Sequence, residues 1–215
     1  MSAYDELFRW YIEKFDILTD SHNNETYKWA ACQQFKNCWN PDRDDFSEML
    51  KEALGSLGNV TDATVSPRRS IVEIAKHEPE TVREMFLALF SDGELSSRIN
   101  RFIRDSEPLV TKYWQGQWRY KQTQSSVMAY LACWRPDEHF FYKPTEAKKF
   151  AKKVGFSKKW GAGASFKPET YYLMCYQLID AMRQCDELMQ TNERRFKGKE
   201  KISGQIRRCI FWLTM

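Results

Sequence analysis

Two clusters of side chains give this chain its chemical character. One is KYWQGQWRYK (112–121), where Tyr113, Trp114, Trp118 and Tyr120 interleave with Arg119 and Lys121. The other runs from Lys143 to Lys167. It carries Lys143, Lys148, Lys149, Lys152, Lys153, Lys158, Lys159 and Lys167 against a single acid, Glu146, and includes Trp160. Cations hold phosphates and flat rings stack on unpaired or extruded bases, so the combination is that of a nucleic-acid surface. It predicts phosphate contacts from Lys148, Lys149, Lys152, Lys153, Lys158, Lys159, Arg119 and Lys121, and base stacking on Trp114, Trp118 and Trp160. The same residues also fit a solvated basic face over buried rings. Trp29, Trp39 and Trp134 lie on apolar helical faces and are expected in the core. Trp114, Trp118 and Trp160 lie in polar, glycine-containing stretches where either role fits. Phe140, Phe141 and Tyr142 are expected partly in the core and partly lining a surface.

Covalent chemistry finds little support. No GxxxxGK phosphate loop, GxGxxG turn or GxSxG elbow occurs. Gly161-Ala162-Gly163 is a lone small-residue turn. The histidines are His22, His77 and His139, and neither Cys32-x5-Cys38 nor Cys133-x5-His139 has the tight spacing of zinc modules. Cys133 and His139 could pair as nucleophile and base. Cys133, however, falls in an apolar helical stretch with no oxyanion donors nearby. Asp42, Asp44 and Asp45 read as helix caps and solvated acids. Pro136-Asp137 lacks the strand-borne Glu-x-Lys that a nuclease of that pattern needs. The expectation is a protein without catalytic residues, metal or cofactor.

The elements that must position these clusters are helical. The chain has 215 residues, 42% apolar and 15% aromatic, enough for one domain of ordinary size with a real core. Apolar residues recur at helical spacing over 3–18 (Leu7, Phe8, Tyr11, Phe15). Asn23 or Asn24 can cap a second helix running to Trp39. Asp42 or Asp44 starts a third, ended by Gly55 and Gly58, and 59–66 reads as a loop. Ser66-Pro67 and Glu78-Pro79 start two more, with proline in the first turn. The Ser91-Asp92-Gly93 stop precedes a long helix from Glu94, which Pro108 can kink near its end. Tyr113 to Tyr120 reads as a loop, Ser125 to Trp134 as a buried helix, and Pro144 as the start of a basic amphipathic helix. A last helix runs from Lys167 or Pro168 to Met189. The fold class expected is mainly α: a compact domain of about eight helices, with at most a short β segment near 139–143. Residues 1–190 form the helical module, and 191–215 a basic linker with an apolar tail.

Charge divides along the chain. Residues 1–107 are net −7 and residues 108–215 net +11, an asymmetry expected of a second half that faces something acidic or faces the acidic first half. No apolar run is long enough to cross a membrane. The start, with Asp5 and Glu6, is not a signal peptide. Six cysteines are too few for a disulfide scaffold and are expected as reduced thiols of a cytoplasmic protein.

The segments YKWAACQQFKNCWN (27–40), DDFSEMLKEAL (44–54), SPRRSIVEIAKHEPETVREMFLALF (66–90) and AYLACWRPDEHFFYK (129–143) resemble the N-terminal region of McrB-like AAA+ proteins. Those are the nucleotide-driven subunits of modification-dependent (type IV) restriction systems. The resemblance spans about Leu7 to Met189. It implies a target-recognition or regulatory module of an anti-phage defence system, in a region that binds modified DNA in better understood relatives. Walker motifs are missing before Met215, so the resemblance confers no NTP hydrolysis here. The resemblance implies either an excised or truncated N-terminal domain, whose apolar end CIFWLTM (209–215) would suit the truncated or frameshifted start of a following domain, or a stand-alone relative. The expected function is therefore a non-catalytic DNA-binding module, with a modified base as a candidate target. The alternative is a protein-interaction module that docks a partner NTPase or nuclease.

Overall fold

The computed structural model describes residues 3–19, 25, 27–61 and 66–194. The predicted asparagine caps at 23 and 24, the loop residues 62–65 and the tail from 195 to 215 lie outside the described residues, as does His22. The described chain is mainly helical, without a strand. Its α-helices are α1 (Ala3–Glu13), α2 (Phe15–Leu18), α3 (Tyr27–Cys38), α4 (Phe46–Ala53), α5 (Gly58–Thr61), α6 (Pro67–His77), α7 (Pro79–Phe90), α8 (Leu95–Trp114), α9 (Gln124–Trp134), α10 (Pro144–Val154), α11 (Pro168–Arg183) and α12 (Asp186–Glu193).

Local chemistry accounts for several boundaries. Proline occupies the first turn of α6, α7, α10 and α11, where its missing N–H costs no hydrogen bond. Asp45 caps α4 by accepting from the Glu48 amide at 3.0 Å. Thr123 and Ser126 close a reciprocal capping box at the start of α9. Gly155, in the left-handed region at φ 71°, ends α10.

Helix α9 is the centre of the fold. Every residue from Ser126 to Cys133 is buried, so it presents apolar surface on all sides, and α3, α5, α7 and α8 pack around it. Aromatic rings knit this layer. Phe90 stacks on Trp134 with centroids 4.5 Å apart, and Phe35 stacks on Trp39 at 5.3 Å. Phe86 meets Trp39, Phe90, Phe102 and Tyr130. A second group, α1, α10, α11 and α12, packs beside it. There the Tyr11 hydroxyl donates to Asn192 Oδ1 at 3.0 Å, tying the first helix to the last.

Several elements depart from expectation. The helix expected over 3–18 breaks at Lys14 into α1 and α2, and the one expected from 167 to 189 breaks at Gln184–Cys185 into α11 and α12. These breaks, with the one-turn α5, raise the helix number above eight. Residues 59–61 are helical rather than loop. Helix α8 runs through Pro108 to Trp114, which places Tyr113 and Trp114 on a helix end instead of a loop. The 139–143 segment forms no strand. It is buried through His139, Phe140, Phe141 and Tyr142, and the Phe141 carbonyl accepts the Tyr171 hydroxyl at 2.6 Å.

Candidate functional site

Helix α10 buries Ala147, Phe150 and Ala151 and turns Lys148, Lys149, Lys152 and Lys153 to solvent. After Gly155 the chain doubles back, and the Phe156 amide donates to the Ala151 carbonyl at 2.8 Å. The returning segment FSKKWGA (156–162) faces the helix across a groove of about 560 Å³. Ala151, Phe156 and Trp160 make its apolar floor, and Lys148, Lys152, Lys158 and Lys159 stand around it. The floor is fixed from behind. The Trp160 indole N–H donates to the Tyr142 hydroxyl at 3.0 Å, and the Trp160 carbonyl accepts the Lys167 amide at 2.6 Å. Tyr142 itself stacks on Phe166 at 4.7 Å.

The lysines of this region sort by their partners. Lys149 pairs with Glu146 at 3.1 Å, and the Lys153 ammonium sits 5.1 Å from the centroid of Trp10 on α1. The groove lysines Lys148, Lys152, Lys158 and Lys159 are exposed and have no carboxylate partner among the described residues. Among the described residues, no acid lines the groove. The six lysines predicted to contact phosphate thus divide into four gathered at one concavity and two engaged elsewhere.

Trp160 does not stand where a base could stack on it. It is 5% exposed, enclosed by Tyr142, Phe156 and Tyr171, and serves as the wall that shapes the groove. The 113–121 cluster lies apart from the groove lining. Trp114 stacks on Tyr120 at 4.0 Å, and the Arg119 guanidinium lies 4.8 Å from the Tyr120 centroid. Trp118 alone turns outward, 66% exposed. Lys121 lies 3.9 Å from Glu107, a loose surface pair. Lys112 donates to Glu78, as does Tyr113, and these two bonds hold the Glu78 carboxyl below the usual range. Of the three rings predicted to stack on bases, then, Trp118 is open, Trp114 is half-buried in a ring stack and Trp160 is closed.

Two glutamines position these segments. Gln122 is buried. Its amide donates to the Pro67 carbonyl at 2.7 Å, and its oxygen accepts from Ser126 and from Tyr130 at 3.0 Å. This clamps the aromatic loop to the start of α6. Gln124 donates to the Gly163 carbonyl at 3.1 Å, joining the start of α9 to the turn beyond the groove.

The remaining candidates for chemistry are structural. Cys133 is fully buried, burial pushes its thiol up, and its sulfur lies 4.0 Å from that of Cys32. A protonated thiol in that setting is a packing group rather than a nucleophile. His139 is buried with Nδ1 2.9 Å from the Tyr172 hydroxyl. Burial, reinforced by Arg98, lowers its pKa to about 4. No three metal-ligating side chains gather among the described residues. The residues that sequence missed are Phe156, Ser157, Gly161 and Ala162, which complete the groove with the lysines. The signal available was FSKKW, where two rings four residues apart flank two lysines.

No protein-family model, no curated protein and no solved structure matches the chain.

Proposed function

We propose that the chain is a non-catalytic DNA-binding module whose phosphate-holding face is α10 and the 156–162 segment. The observation that carries this is the gathering of four lysines without carboxylate partners around one groove that, among the described residues, no acid lines. Lysines left without carboxylates retain their full attraction for an external polyanion, and neutralising phosphates releases counterions. Target recognition in a type IV restriction or related defence system, in the cytoplasm, is the biological setting that the McrB-like resemblance favours. Arg119, Lys121 and Trp118 would extend the contact along the strand.

The test is binding of the purified chain to duplex DNA, unmodified or carrying methylated or hydroxymethylated cytosine, at several salt concentrations. The expected log–log salt slope is about −3.6 to −5.4, as roughly four to six neutralised phosphates require. A preference among the three duplexes would add base reading to phosphate holding. A slope near zero, or no binding at low salt, rejects the proposal.

A second function has its own observation. Trp118 is the most exposed large apolar side chain among the described residues and stands beside exposed Arg119. Tryptophan and arginine are the residue types that anchor protein interfaces. Docking of a partner NTPase or nuclease would be lost in Trp118→Ala, while DNA binding through α10 would persist.

A further inference from the structure

We infer that the groove between α10 and the 156–162 segment is a site for a nucleoside 5′-polyphosphate, whether a free nucleotide or the 5′-triphosphate end of a strand. The inference uses the lysines invoked for DNA binding but assigns them a different ligand, and it stands on its own if duplex DNA proves not to bind.

Shape is the first argument. A volume of about 560 Å³ falls within the range of small-molecule sites. A duplex is a convex cylinder and would touch the rim without entering. A groove served only by a duplex backbone would need no floor. This one is floored by Ala151 and Phe156 against the buried Trp160, and Phe156 is only half-buried. A flat base laid there removes apolar surface from water and gains ring contact.

Charge is the second argument. An internal nucleotide brings one negative charge. A terminal phosphomonoester brings about 1.5 to 2, and a triphosphate adds two further ionised groups. Lys148, Lys152, Lys158 and Lys159 at one concavity match the last of these best. Ammonium groups on flexible stems serve as point charges for phosphates and do not demand one bidentate geometry.

Rigidity is the third. Gly161 adopts φ 70°, and a Cβ there would clash with the Ser165 carbonyl. Trp160 is held at both its indole and its carbonyl. The floor is therefore in place before a ligand arrives, which saves ordering entropy. Among the described residues no acid lines the groove to orient a water, so the inference assigns it binding alone.

The experiment is calorimetric titration of the whole chain, free of divalent cations, with ATP, AMP and inorganic tripolyphosphate. In parallel it uses one single-stranded oligonucleotide bearing either a 5′-triphosphate or a 5′-hydroxyl. ATP should bind about tenfold or more tighter than AMP, and more tightly than tripolyphosphate. Lys152→Glu and Lys158→Glu, both at exposed positions that fold does not need, should each weaken ATP about tenfold or more. Phe156→Leu should weaken ATP and leave tripolyphosphate unchanged. A 5′-triphosphate strand that outbinds ATP identifies the strand end as the source, and the reverse identifies the free nucleotide. Equal affinity for ATP and AMP, equal affinity for ATP and tripolyphosphate, or indifference to both lysine variants overturns the inference. If a duplex with 5′-hydroxyl ends binds and ATP does not, the nucleotide site falls while the DNA-binding proposal stands. If ATP binds and DNA does not, the outcome is reversed.

Discussion

His139 shows how one residue's surroundings set a property of the whole protein. It is enclosed by Trp134 and Tyr172, with Arg98, Arg135 and Glu138 as the charged groups acting on it. Burial first, then Arg98, lowers its pKa from 6.5 to about 4. The unfolded chain binds a proton at this site between those values while the folded chain does not. Stability is therefore complete above pH 6.5 and falls as pH drops toward 4, by at most about 3 kcal/mol from this group. Urea unfolding of the wild type and of His139→Gln at pH 7 and pH 4.5 checks this. The wild type should lose more stability over that interval than the variant, and parallel losses would assign the effect to other groups. At the same scale, the lysines were legible in the sequence as a cluster but not as individuals. The engagement of Lys153 depends on Trp10, 143 positions away on α1. The burial of Trp160 depends on Tyr142 and Tyr171, brought in from either side. A polar, glycine-rich local sequence carries no trace of such partners.

At the scale of elements, boundaries written by local chemistry were the readable ones. Four helices begin at prolines that cannot sit inside a hydrogen-bonded turn, and these starts were legible. Pro108 shows the limit of that rule. Helix α8 continues past it because Phe102, Ser106 and Val110 are buried on one face, and packing outweighs the one backbone bond forgone. The turn after Trp160 depends on Gly161 in the same local way. Gly161→Ala would place a side chain in the left-handed region and against the Ser165 carbonyl. It should cost about 1–3 kcal/mol, or open the turn and deform the groove. Thermal unfolding reads the first, and loss of phosphate-ligand binding with an unchanged helical circular dichroism spectrum reads the second. Wild-type stability and binding in the variant would show that the turn does not shape the site.

At the scale of the molecule, a single apolar cluster runs from Leu7 to Leu188 and joins both ends of the described chain. Its mainly helical class was legible because apolar spacing and length exceed what turns and strands can use. The layering was not, because α9 is apolar on all sides and its periodicity does not say which helices surround it. Phe86 is fully buried at the meeting of four aromatic partners, so Phe86→Ala should cost about 3–5 kcal/mol in denaturant unfolding. A loss below about 1 kcal/mol would mean that this layer is not the core. The charge division along the chain acquires a spatial meaning from the same architecture. Part of the excess positive charge of the second half is concentrated on α10 and the segment that folds back on it, away from the buried layer around α9.

The central claim is that position at the groove, and not positive charge in general, makes this a phosphate-binding face. The most direct measurement compares two double variants of equal net charge. Lys152→Gln with Lys158→Gln empties half the groove's cations, and Lys149→Gln with Lys153→Gln removes the two engaged outside it. Affinity for duplex DNA and for ATP is measured for both at one salt concentration. The account predicts a loss of about a hundredfold for the groove pair in whichever ligand the wild type binds, and at most a few-fold for the other pair. Equal losses would contradict it, and would make the basic stretch a diffuse electrostatic surface without a site.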